Sequence, residues 1–257
     1  MNQKTIETAS EEFAECWVAA AEHLRGISIF GRKRFIRATL TPILLDHLSF
    51  AMGNQIFFVH VNDAEGQISS PSTVTDCIYA AELGNGVPCI LTMRKSAGEK
   101  WESVYGGWGL LHAQTGEKVQ PQNFVTDEDI ELSLWELYDI ANRRVMNTIE
   151  ESGGEIISFN SDPSVNPSIY FVGEDSQPHY VILSVARYPF EPELDNEIVA
   201  EVMKAVSDFS TSGFIAAVTL VSVDDPFDPD AKINGNYLPL LRGRGYHQKF
   251  YGLTPIP

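Results

Sequence analysis

SLWELYDIANRRVMNTIEESGGEIISF, residues 133–159, is the stretch on which the fold of this chain turns. Ser133 followed by Glu136 is a capping box: the hydroxyl and the carboxylate satisfy backbone N–H groups that a helix start leaves open. Leu134, Leu137, Tyr138, Ala141, Val145 and Ile149 then recur at helical spacing and form one long apolar stripe. Gly153-Gly154 stops the helix, because glycine adopts the left-handed cap that other residues avoid. Glu155 to Phe159 follows as a short strand.

Outward from there, the order of elements is legible. Ser168–Val172 and His179–Tyr188 flank Gly173-Glu-Asp-Ser176 and read as a hairpin. Asp195 or Asn196 caps a helix running to Ser210, with Ile198, Val199, Val202, Val206 and Phe209 inward. Phe214–Val223 is nearly all apolar, as a strand covered on both faces is. An acidic loop and a last segment, Tyr237–Leu253, close the chain.

The first half reads in the same order. A helix over Ser10–Arg25 carries Phe13, Trp17, Ala20 and Leu24 on one stripe. A strand over Arg34–Thr41 ends at Pro42, and Leu45–Phe50 and Gln55–Val61 flank a turn at Met52-Gly53-Asn54. Ser70-Pro71 reads as a helix start, with Val74, Ile78 and Ala81 inward. Val87–Arg94 is a strand, and Trp101–His112 another, broken at Gly106-Gly107. The class is α+β: two similar helix-β-β-β-helix-β units over residues 1–118 and 133–257, joined by a polar linker at 119–132. Residue identity between the halves is negligible, so a tandem duplication rests on the shared order alone.

Composition narrows the function. Of 257 residues, 44% are hydrophobic and 21% charged, which is globular composition. The net charge is −17 and belongs to one segment. Residues 119–231 hold 22 acidic and 4 basic residues, whereas residues 232–257 hold 4 basic and no acidic ones. Such a charge opposes general attraction to nucleic acid or anionic membrane. It leaves two uses for the acidic segment, a solvated surface or a face for a basic protein. The N-terminus is polar and no apolar run reaches membrane-spanning length, which points to a cytoplasmic protein with neither signal peptide nor span.

Reactive motifs are sparse. Cys16, Cys77 and Cys89 lie in or beside apolar stripes, with no metal-ligand spacing and no basis for a disulfide framework. His23, His47, His60, His112, His179 and His247 are scattered singly. There is no Gly-x-Ser-x-Gly elbow and no phosphate-binding glycine loop. The one candidate metal site is Asp224-Asp225-Pro-Phe-Asp228-Pro-Asp230, four carboxylates in seven residues. It lacks the glycine and glutamate of a calcium loop, and a solvated turn is the favoured reading. No cofactor is expected. Two basic clusters remain: Arg32-Lys33-Arg34 with Arg37, and Arg242, Arg244, His247 and Lys249 interleaved with Tyr246, Phe250 and Tyr251. Arginine beside aromatic rings can grip phosphate or bases. On so acidic a chain, pairing with the acidic segment is favoured over nucleic acid.

Residues 133–223 resemble two families in element order. One is the restriction-endonuclease-like PD-(D/E)XK superfamily, whose core runs helix, three strands, helix, strand. That resemblance implies metal-dependent cleavage by an aspartate on the second strand and an acidic-x-Lys on the third. Here the second strand begins Asn166-Pro-Ser168, the third carries Ser184-Val-Ala-Arg187, and Asp162-Pro163 is a displaced echo of the motif. The other is to type III secretion chaperones and YbjN-like domains, acidic α+β units. That resemblance implies a partner polypeptide and a homodimer.

The favoured function is therefore non-catalytic binding of a macromolecule, most readily a protein. Candidate binding residues are Arg187, Arg242, Arg244, Tyr246, His247, Trp101 and Trp108, with Trp135 a further exposed aromatic and the sheet edges as surfaces. The alternatives are a divergent metal-dependent hydrolase or nuclease using Asp224, Asp225, Asp228, Asp230 and Arg187, and a small-molecule module in the cleft between units.

Overall fold

In a computed structural model, residues 10–27, 33–37, 48–96, 98, 100–210 and 212–257 are described. The chain is α+β and divides into two units between Glu128 and Asp129. Among the described residues no helix is long and apolar enough to cross a membrane.

In the first unit, α1 (Glu11–Gly26) starts where the Ser10 hydroxyl accepts a hydrogen bond from the Phe13 amide at 3.1 Å. It is followed by β1 (Lys33–Arg37), β2 (Leu48–Met52), β3 (Gln55–Asp63), α2 (Val74–Leu83), β4 (Val87–Lys95), β5 (Trp101–Ser103) and β6 (Leu110–His112). Strands β1, β2 and β3 form an antiparallel meander. The chain crosses through α2 to β4, which runs parallel to β3, and both β5 and β6 pair antiparallel with β4. Phe13, Trp17, Ala20 and Leu24 of α1 are buried against Phe57, Val59, Cys89 and Leu91 of the sheet. Phe50 stacks on Phe57 and on Trp108, with centroids 5.1 and 5.6 Å apart.

Two boundaries differ from the sequence reading. Helix α2 begins at Val74, because Thr73 and Asp76 form the capping box that Ser70-Pro71 was expected to replace. The Asp76 carboxylate accepts from the Thr73 amide at 2.8 Å, closing the start reciprocally. Strand β1 is described over Lys33–Arg37, and Ala38 to Thr41, Pro42, Leu45 and His47 lie outside the described residues. The polar stretch read as a linker is partly taken up by the first unit. Val119 is buried in its core, and the Asn54 amide donates to Thr126 Oγ1 at 2.9 Å and Glu128 O at 2.8 Å.

The second unit contains α3 (Leu134–Glu151), β7 (Glu155–Phe159), β8 (Ile169–Val172), β9 (Pro178–Arg187), α4 (Asn196–Val206), β10 (Ser212–Ser222), α5 (Ala231–Asn234) and β11 (Tyr246–Pro255). Its sheet order is β11-β10-β9-β8-β7. Strands β7, β8 and β9 form the antiparallel meander, α4 crosses over, and β10 runs parallel to β9. The topology through this crossover repeats that of the first unit, as a duplication would produce. Alternation along β9 loads both faces: Val185 packs with Leu137 and Leu220, whereas Tyr180 and Ile182 pack with Val202 and Val206 of α4.

Helix α3 buries the expected stripe apart from its first residue, and widens it with polar groups. Leu134 is 52% exposed, and Trp135, Glu136, Asp139 and Asn142 are buried beside Leu137, Ala141, Val145 and Ile149. Asp139 and the Asn142 amide nitrogen have partners, as buried polar groups generally do. Arg143 Nε donates to Asp139 at 2.8 Å, and Asn142 Nδ2 donates to Asn160 O at 2.8 Å. Ile198 and Phe209 also face outward, Phe209 lying beyond the end of α4 with its ring edge-on to Tyr170.

Truncating the stacked Phe50 to alanine is expected to lower the unfolding free energy by about 3–5 kcal/mol. Leu134→Ala, at an exposed position, is expected to change it by no more than about 0.5 kcal/mol. Urea titration of the two variants measures both.

Candidate functional site

The parallel strands β9 and β10 end side by side, with Leu220 in register with Arg187. The chain leaves β9 through Tyr188-Pro189-Phe190 and leaves β10 through Val223 to Asp230. Loops at the C-terminal ends of parallel strands are where such sheets commonly carry their sites. Asp225, itself buried, organises this region. Its Oδ1 accepts from the Phe227 amide at 2.8 Å and its Oδ2 from the Leu238 amide at 3.2 Å. One carboxylate thus ties the start of the loop to the segment after α5.

The tie puts aromatic rings on the surface. Phe227 has φ of +55°, a left-handed conformation that a bulky side chain adopts only under constraint, and its side chain is driven outward. Phe227 and Tyr188 lie 5.6 Å apart, and the Tyr188 hydroxyl donates to Asp228 O at 2.9 Å. Phe190 and Tyr237 lie edge to face at 5.8 Å. Phe190 is 44% exposed, Phe227 52% and Ile233 84%, and Val223, Tyr237 and Leu238 are exposed as well. Glu191, Glu193, Asp224 and Asp230 are exposed along the same segments. The result is an aromatic surface held by backbone hydrogen bonds and bordered by carboxylates and by Lys232, whose Nζ lies 5.7 Å from the Phe190 ring centroid.

Of the four aspartates considered from sequence as a metal site, two have carboxylates engaged by backbone amides. Among the described residues no three His, Cys, Asp or Glu side chains are placed to hold a metal ion. Asp225 caps two amides, and Asp228 Oδ1 accepts from the Asp230 amide at 2.9 Å. These carboxylates bind backbone.

The basic residues are dispersed in the same way. Arg242 is buried, its side chain 4% exposed against 9% for Glu136. Its Nε donates to Glu136 Oε1 and Oε2 at 3.0 Å, and its Nη2 to Oε2 at 2.8 Å. Arg242 is therefore a structural residue and not a surface grip. Arg187 pairs with Glu131 at 2.8 Å and also donates to Leu132 O, while Arg244 approaches Asp129 at 3.8 Å in solvent. The basic tail folds onto the acidic segment. Tyr246 and His247 are exposed on β11, the edge strand of the sheet.

The tryptophans separate too. Trp108 is 3% exposed and donates to Gln122 Oε1 at 3.0 Å, and Trp135 is 7% exposed, so neither offers a binding surface. Trp101 is half-buried in β5. The cysteines are all buried and reduced. Burial, with the Asp63 charge added, pushes the Cys16 thiol up to about 12, and burial pushes Cys89 up as well, so neither forms a thiolate at neutral pH. His179 lies 2.9 Å from Asp175, and that hydrogen bond holds the Asp175 carboxyl below its ordinary value. The pair closes the β8–β9 hairpin, since Asp175 also accepts from the Gln177 amide.

Sequence reasoning did not single out Tyr188, Phe190, Phe227, Ile233, Tyr237 or Leu238. The available signal was an aromatic residue beside proline in two loops, Tyr188-Pro-Phe190 and Pro226-Phe227. Such a pattern exposes a ring where a strand or helix would bury it.

A family model described as a domain of unknown function (DUF8840) matches residues 135–256, nearly the whole second unit and under half of the chain. No curated protein and no solved structure matches.

Removing the guanidinium from the buried pair, in Arg242→Ala, leaves Glu136 buried and is expected to cost about 3–5 kcal/mol of stability. Arg244→Ala removes an exposed contact and is expected to cost no more than about 0.5 kcal/mol; urea denaturation compares the two. The native protein is also expected to leave all three thiols unreacted with a disulfide reagent at neutral pH and to release them only in denaturant, read by absorbance.

Proposed function

We propose that this is a cytoplasmic, non-catalytic binding protein whose partner is another polypeptide. The single observation that carries the reading is the aromatic surface of Phe190, Phe227 and Tyr237, exposed on a loop pair bordered by carboxylates, with half-buried Tyr188 packed against Phe227. Aromatic side chains supply large contact area at low conformational cost and are enriched at protein interfaces. The net charge of −17 selects against nucleic acid and favours a partner segment with apolar and basic residues. The resemblance to type III secretion chaperones implies the same kind of partner. The buried thiols, and aspartates engaged by backbone amides, support a binding role over chemistry on a substrate.

The test uses the whole chain as bait in native lysate of its source cells. The expected result is a dominant protein partner that survives nuclease treatment and whose yield falls about ten-fold or more with Phe190→Ser plus Phe227→Ser. Phe190 is 44% and Phe227 52% exposed, and neither belongs to the buried core, so the variant is expected to keep the wild-type circular dichroism and a cooperative melting profile. A partner retained equally by the variant, or lost on nuclease treatment, overturns the reading.

A further inference from the structure

The sheet of the second unit ends on an open edge. Strand β11 is the last in the order β11-β10-β9-β8-β7, so β10 pairs with it on one side and, among the described residues, no strand pairs with it on the other. Its register with β10 runs without a shift from Tyr246 to Phe250, and the strand is exposed from Tyr246 to Lys249. The ladder shows which backbone groups face outward. The Val223 amide donates to Gly245 O at 3.3 Å, and hydrogen-bonded pairs alternate along an antiparallel ladder, so His247 and Lys249 turn their backbone groups to β10. The neighbouring strand gives the same phase independently. Leu220 O accepts from the Tyr188 amide at 2.8 Å and so points to β9, which leaves its register partner Gln248 pointing away from β10. The N–H and C=O groups of Gln248 and Phe250 therefore line the edge, and among the described residues no backbone bond reaches either from outside the sheet.

The side chains give this edge a sign. Alternation puts His247, Lys249 and Tyr251 on one face and Gln248 and Phe250 on the other. Lys249 Nζ lies 4.4 Å from the Tyr251 ring centroid, and on the opposite face the Arg144 guanidinium of α3 lies 5.7 Å from that of Phe250. Neither Lys249 nor Arg144 has a carboxylate partner among the described residues, and residues 232–257 contain no acidic residue. A chain of net charge −17 thus presents a basic edge. Lysine on an edge strand deters pairing with a like strand. Two copies joined β11 to β11 would crowd Lys249 and Arg144 of both into one seam, and two such acidic chains repel besides. The same cations favour a strand that carries carboxylates.

We propose that β11 takes up an extended acidic segment of another polypeptide, which pairs along this edge as an added strand. Backbone hydrogen bonds to Gln248 and Phe250 hold the segment and set its register. Carboxylates at every second position meet Lys249 on one face, and the apolar residues between them lie beside Phe250 on the other. The recognised chemistry is an alternation of acidic and apolar residues in an extended chain. The edge shares no residue with the aromatic surface of Phe190, Phe227 and Tyr237, and it stands or falls separately from that surface.

The experiment titrates the whole chain with synthetic peptides, read by fluorescence anisotropy and by amide hydrogen exchange. The probe is a labelled peptide of alternating glutamate and valine, long enough to span Tyr246 to Tyr251. Its controls are the same peptide with lysine for glutamate and an N-methylated version that cannot donate backbone hydrogen bonds. The expected result is saturable binding of the glutamate peptide, with both controls about ten-fold weaker or worse. Exchange at the Gln248 and Phe250 amides is expected to slow on binding, whereas the His247 and Lys249 amides, already bonded to β10, change little. Gln248→Pro removes an outward N–H and spares the bonds to β10, and Lys249→Glu reverses the charge; each is expected to weaken binding about ten-fold. Lys249→Glu, at an exposed position, carries the comparison if Gln248→Pro does not fold. Phe190→Ser plus Phe227→Ser is expected to leave the affinity unchanged, which separates this site from the aromatic surface. Binding that does not saturate, that the lysine peptide matches, or that leaves exchange at Gln248 and Phe250 unaltered overturns the proposal. A concentration-dependent dimer that Gln248→Pro abolishes assigns the edge to a second copy and overturns it as well.

Discussion

The second unit is organised around the Glu136 carboxylate. One group serves two ends of the unit at once. It accepts from the Ser133 amide at 2.8 Å and so starts α3, and it receives the Arg242 guanidinium through Nε and Nη2. The Arg242 amide in turn donates to Ile130 O at 2.8 Å, and the Leu132 amide donates to Leu240 O at 2.7 Å. The segment leading into α3 and the segment leading into β11 are therefore laced together around one buried pair. Taking both charges out of water is costly, and the arrangement survives because every strong donor and acceptor at its centre is matched. The consequence is positional. With Leu240 and Arg242 fixed, the Tyr237–Leu238 stretch is held against the loop that Asp225 anchors.

This view changes what the acidity of the chain means. The second unit, residues 129–257, carries 20 acidic and 8 basic residues, but many of the carboxylates are building elements. Asp162, Asp175, Asp195, Asp225 and Asp228 each accept a backbone N–H close in sequence. In the first unit Asp63 takes three, from Glu65, Gln67 and Ile68. A short carboxylate that caps a turn replaces hydrogen bonds that loop backbone would otherwise leave to solvent. A dense acidic run can thus be a run of tight turns, and it still projects negative potential into the surroundings.

Helical periodicity and capping were legible because they are local. The Ser133–Glu136 box, the α1 stripe and the two hairpins are set by neighbours within a few residues; the sequence places the second hairpin within a residue and the turn of the first at Gly53-Asn54, while Leu45, where its first strand was read to start, lies outside the described residues. The class and the repeated order of elements follow from these. What was not legible depends on distant partners. The burial of Asp139 and Asn142 beside the α3 stripe depends on partners on the chain around Asn160 and Ser161. The start of α2 at Thr73 was a matter of two capping signals within four residues, and the reciprocal one prevailed over Ser70-Pro71. The burial of Arg242 could not be read from a Gly-flanked, aromatic-rich segment, since its partner lies 106 residues away.

The candidate surface follows the same division between local and distant. Each aromatic residue was visible, but its exposure was not, because the loop that carries it is tied through Asp225 to the Leu238 amide. A free loop of this composition would collapse its rings onto each other or onto the sheet. Held at both ends, Phe190, Phe227 and Tyr237 remain 44%, 52% and 39% exposed, which is an unfavourable state for the isolated chain. Their exposure forgoes hydrophobic burial that a slightly different loop would recover. A partner that covers them recovers it in the complex, and since the rings are already positioned, little further ordering is required of this side. The acidic rim then bears on which partners arrive, because charge acts at distances where apolar contact does not.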